Sequence, residues 1–152
     1  MRKQLLLFIL LLFTVKAIAG DDKKQAVDSL LAKSMEFASR GDLVTYIETV
    51  IKALNLANAA NYDEGKAKGG SYLAEGLVTI GLFKEGLKQL DRIETTDFYK
   101  NEIFMQSEVH RLRGRAYGGL MLYQQALREF RVQQGVIKKL AGEKQIKSYQ
   151  FN

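Results

Sequence analysis

The sequence contains no cysteine, no proline and no tryptophan, and it has a single histidine, His110. Without cysteine there is no disulfide framework, no thiolate metal site, no cysteine nucleophile and no lipid-modified cysteine anchor. One histidine excludes two-histidine metal sites, and no motif surrounds it that would build a Ser-His-Asp arrangement. The absence of proline favours long helices joined by polar turns. Glycine is not scarce, yet neither GxGxxG nor a phosphate loop occurs: Gly65, Gly69 and Gly70 lack the required order and a preceding strand.

What is present begins with an export-like N-terminus. Arg2 and Lys3 precede a mostly aliphatic run from Leu5 to Val15, and Ala17-Ile18-Ala19 stands before Gly20. That run reaches roughly 16 Å as a helix, against the ~30 Å of a bilayer core. The pattern predicts a signal peptide over 1–19, cleaved before Gly20, rather than an anchor, and a periplasmic or secreted mature chain. Removing Arg2, Lys3 and Lys16 leaves 20 basic residues against 17 acidic, a net of +3. So mild a charge does not point to nucleic acid.

A shift of forty residues brings three segments into register without a gap. Leu43, Phe83 and Tyr123 align, then Ile47, Leu87 and Leu127, then Val50, Leu90 and Phe130. The spacing of four and three puts these columns on one helical face. Earlier in each unit, Ser34, Ala74 and Gly114 form a column of small residues, followed by the larger Phe37, Leu77 and Tyr117. The pattern predicts a short leader over 20–26, three helix pairs (27–66, 67–106 and 107–146), and a tail or cut-short fourth unit at 147–152. The expected helices are 25–39, 43–58, 65–80, 83–94, 99–119 and 123–140. Gly41-Asp42 and Gly81 are the expected breaks, and Thr95, Thr96 and Asp97 the expected caps before the fifth helix. Gly86 suits a close approach of two backbones, but the repeat supplies no reason for Gly76, whose counterparts are Glu36 and Ala116.

These units resemble tetratricopeptide repeats. The small mid-helix residue is matched by Ser34, Ala74 and Gly114, the turn glycine by Gly41 and Gly81, and the large residue after it by Leu43, Phe83 and Tyr123. The early alanine of the second helix is matched by Ala126, loosely by Gly86, and not by Tyr46. Of the later alanine only Ala53 remains, with Ile93 and Gln133 departing. Asn58, Phe98 and Lys138 replace the closing proline, and Leu30, Gly70 and His110 the opening tryptophan. The period is also longer than the usual ~34 residues, as in long-helix variants of some bacterial sensors and regulators. The resemblance covers about 27–140 and implies an all-α, right-handed solenoid of three antiparallel helix pairs; a generic helical bundle is the alternative.

Such a solenoid implies a non-enzymatic scaffold binding a protein or peptide segment on the concave face of its first helices. In register, that face carries Leu31 and Met35, then Lys68, Ser71, Glu75 and Val78, then Glu108, Arg111 and Arg115. Lys68, Arg111 and Arg115 are the expected holders of an acidic or carboxylate-bearing segment. No catalytic, cofactor or metal residue is expected. The alternative function is the N-terminal sensor region of a signal-transduction or transcriptional regulator. The sixth helix keeps Leu127, Phe130, Val136 and Ile137 with little sequence after it to cover them, so that face belongs either to a longer protein or to a partner.

Overall fold

A computed structural model describes the backbone of residues 2–150 and the side chains of residues 21–142. The residues assigned to the signal peptide and the segment 147–152 lie outside the described side chains. The chain is all-helical, with seven helices and no strand among the described residues: α1 (Arg2–Ser39), α2 (Leu43–Ala59), α3 (Asp63–Thr79), α4 (Phe83–Ile93), α5 (Asp97–Asn101), α6 (Ile103–Gly119) and α7 (Tyr123–Gln150).

Four turns repeat one device. The backbone takes a left-handed conformation at Gly41, Asn61, Gly81 and Met121, with φ of 76°, 48°, 85° and 61°. At each, the next residue's N–H reaches back five residues to close the preceding helix: Asp42 to Phe37 at 3.0 Å, Tyr62 to Ala57 at 2.9 Å, Leu82 to Leu77 and Leu122 to Tyr117 at 2.8 Å. This double-bonded C-terminal cap satisfies carbonyls that a helix end leaves free. Glycine adopts it without strain and asparagine tolerates it; Met121 does so against a cost of about 1–2 kcal/mol. The caps sit at 41, 61, 81 and 121, so a helix and its turn occupy twenty residues.

The device is missing near 101. α4 stops at Ile93, and Thr96 starts α5 by accepting a hydrogen bond from the Tyr99 N–H at 3.2 Å. Asp63, at the start of α3, accepts the Phe98 N–H at 2.7 Å and fastens α5 to α3. Glu102 is extended, with φ −109° and ψ 101°, and separates α5 from α6. The expected helix 99–119 is therefore two helices. The first helix likewise runs well before residue 25, with residues 21–26 exposed.

Packing passes along the chain: α1 lies on α2 and α3, α2 on α3, α3 on α4, α3 and α4 on α6, and α6 on α7. Val27, Leu31, Ala53 and Ala57 fill the space between the first helices, beside Tyr46, Val50 and Leu73. Ala67, Ala74, Leu90, Ile93, Met105, Val109 and Leu112 join α3, α4 and α6. Each fully buried large residue, such as Leu90, Ile93 or Leu112, contributes about 1.5–3 kcal/mol.

The glycine the repeat left unexplained is accounted for by a neighbour across the fold. A Cβ on Gly76 would lie 2.8 Å from Ile47 Cγ1 and 3.1 Å from Tyr46 Cε1, so its absence lets α2 close on α3. There Tyr46 donates its hydroxyl to the Tyr72 carbonyl at 2.8 Å, and burial pushes that hydroxyl's pKa upward. Gly86 lets α4 approach α3 in the same way, against Val78 and the Ala74 carbonyl.

Candidate functional site

Helices α1, α3 and α6, with α5 at one end, surround a pocket of about 330 Å³. Met35 comes from α1, Lys68, Ser71, Tyr72 and Glu75 from α3, and Met105 and Glu108 from α6; Phe98, Glu102 and Phe104 close the α5 end. These positions face one space because α3 presents residues four apart on a single side. Met35 and Phe104 are exposed although apolar, Phe104 at 64%.

The charges around the pocket are bonded to one another. Arg111 grips Glu108 with two nitrogens, Nη2 at 2.7 Å and Nε at 3.0 Å, and its Nη2 also reaches Glu75 Oε1 at 3.2 Å. The Glu108 hydrogen bonds raise the Arg111 pKa above its ordinary value. Arg115 donates to the same Glu75 oxygen at 3.3 Å and to Thr79 Oγ1 at 3.4 Å. Lys68 pairs with Glu64 at 2.5 Å, which raises its pKa, and its ammonium lies 5.8 Å from the Phe98 ring centroid. Glu102 has no cation within 4.0 Å among the described residues.

Of the nine residues expected to form the groove, five line this pocket: Met35, Lys68, Ser71, Glu75 and Glu108. Arg111 and Arg115 adjoin it through Glu75. Leu31 and Val78 do not belong to it. Both are buried, Leu31 among Val27, Ala53 and Ala57, and Val78 under α4 beside Gly86, because α1 and α3 are each packed against more than one neighbouring helix. Expectation missed Tyr72, Phe98, Glu102, Phe104 and Met105. The short α5 and the extended Glu102 bring three of these in, and Asn101, which ends α5, is the local turn residue at that break.

His110, in register with Leu30 and Gly70, bonds through Nδ1 to Glu129 Oε2 at 2.7 Å and ties α6 to α7. Arg113, between Arg111 and Arg115 in the sequence, points away from the pocket. Its guanidinium bonds Asp91 of α4 at 2.7 Å and Glu94, just past the end of that helix, at 2.5 Å, which lowers the Glu94 pKa. Among the described residues no group of three or more histidine, aspartate or glutamate side chains is placed to hold a metal ion, and no helix is long and apolar enough to cross a membrane. Comparison with family models, with curated proteins and with solved structures found no match to this chain.

Proposed function

We propose that the chain is a non-enzymatic, tetratricopeptide-like scaffold, a short helical solenoid that binds a segment of another protein in the pocket between α1, α3 and α6. Two features support the solenoid: helix ends recur on a twenty-residue step, and packing passes from each helix to its neighbours. The pocket supports binding. It combines an apolar lining with Met35 and Phe104 exposed beside it, the arrangement that accepts an apolar side chain and polar flanks. The observation that carries the reading is Phe104, a large apolar residue left in water at a concave site.

The ion pairs bear on the sign of the segment's charge. Lys68, Arg111 and Arg115, the expected anchors for a carboxylate, already face Glu64, Glu75 and Glu108, and Glu102 adds a fourth acid without a partner. We therefore assign an apolar segment flanked by a cation. Fluorescence anisotropy with two labelled short peptides, one carrying Phe between lysines and one carrying Phe between glutamates, tests this. Tighter binding of the lysine peptide, lost in Phe104→Asp with helicity unchanged, is expected. Preference for the glutamate peptide, lost in Arg115→Glu, would restore the carboxylate-bearing segment.

The N-terminal pattern supports export with removal of residues 1–19. The mass of the protein recovered outside the cytoplasm checks this: a chain of full mass contradicts cleavage.

A further inference from the structure

The second and third forty-residue units carry the same apolar stripe on their second helices, and the fold treats the two differently. On α4 the stripe is Phe83, Leu87 and Leu90, and α6 lies over it. Leu90 has no exposed surface, and the Phe83 ring rests on Gly119 where no Cβ would fit. Beside the stripe, Asp91 and Glu94 clasp Arg113 of α6. This seat therefore recognises a helix by apolar contact, a small residue and one cation held between two acids.

On α7 the stripe returns as Tyr123, Leu127 and Phe130, which are 68%, 44% and 37% exposed. The inner edge of Phe130 leans on Gly114, and no helix covers the outer side among the described residues. The clasp has changed sign. Arg131 stands in register with Asp91, and the uncharged Gln134 with Glu94; Arg128 and Lys138 are exposed nearby. None of these three cations has a carboxylate within 4.0 Å among the described residues. The nearest acid on the helix, Glu129, is turned inward to His110.

We infer that this face of α7 docks an α-helix of a partner protein that brings a small residue to Tyr123 and a carboxylate to Arg131. The stripe keeps the geometry that seats α6, while the reversed charge refuses a helix like α6 itself, whose Arg113 would meet Arg131. A second copy joined α7 to α7 would bring Arg128, Arg131 and Lys138 against their own equivalents, and like charges oppose association. The inference does not depend on the pocket between α1, α3 and α6.

The full chain and two synthetic peptides test it: one with the sequence of α6, residues 103–119, and one with the Arg113→Glu change. The acidic peptide is expected to bind roughly tenfold more tightly, the scale of one interfacial charge pair. Arg131→Glu in the full chain should reverse the preference, and Leu127→Asp should weaken both peptides. Arg131 is exposed, so its variant folds and keeps the test valid even if Leu127→Asp does not. Equal affinity for the two peptides, no binding of either, or failure of Arg131→Glu to reverse the order would overturn the inference. A concentration-dependent dimer that Leu127→Asp dissolves would also overturn it, assigning the face to a second copy.

Discussion

Helices α3 and α7 show what position in the stack does to a helix. α3 is rich in small residues, Gly65, Ala67, Gly69, Gly70, Ser71, Ala74 and Gly76 among them, and all seven are buried. α7 carries Tyr123, Leu127, Phe130, Val132 and Ile137, and every one is substantially exposed; among its described residues only Ala126 is buried. The larger apolar side chains are therefore on the more exposed of the two helices. A helix enclosed by α1, α2, α4 and α6 has room only for small side chains, so close approach replaces bulk as the source of burial. A helix packed on α6 alone keeps its large side chains for a surface nothing else in the described chain covers.

The sharpest way to break this contrast is to add bulk to α3. Ala74 is fully enclosed, and Ala74→Phe should destabilise by about 1–3 kcal/mol in urea unfolding. An unchanged midpoint would show that α3 is not confined. Acidification probes the α4–α6 clasp, which α7 lacks. The hydrogen bond from Arg113 holds the Glu94 carboxyl below its ordinary value of 4.5. Its contribution is therefore fully present above pH 4.5 and lost as pH falls through the lowered value. The melting-temperature gap between the native chain and Glu94→Gln should close on acidification below that point; a gap independent of pH would mean the clasp does not operate. The smallest effect belongs to α7. Val132→Ala should change stability by no more than about 0.5 kcal/mol, and a larger loss would show that this side is covered.

Much of the helical plan was legible because its punctuation is local. Gly41 and Gly81 announced left-handed caps, and the expected helices 99–119 and 123–140 left the third break between them, where Met121 itself gives no such signal. The starts at residues 43, 83 and 123 followed from register. Features that depend on residues distant in sequence were not legible. Gly76 answers to Ile47, and the seat of α5 to Asp63, which captures the Phe98 N–H from thirty-five residues away. The pocket was half legible for the same reason. Repeat register found Lys68, Ser71 and Glu75, but it treated every first helix alike and so placed buried Leu31 and Val78 at the surface. It also gave no sign that Arg111 and Arg115 share Glu75.

The account depends on one apolar stripe of the repeat being sealed in one copy and open in the next. Leu90→Ala and Leu127→Ala, measured side by side in a single urea series, test it directly. Sealed Leu90 should cost about 2–5 kcal/mol, and half-open Leu127 less than about 1 kcal/mol. Equal losses at the two positions would contradict the stacked arrangement and the free face on α7 together.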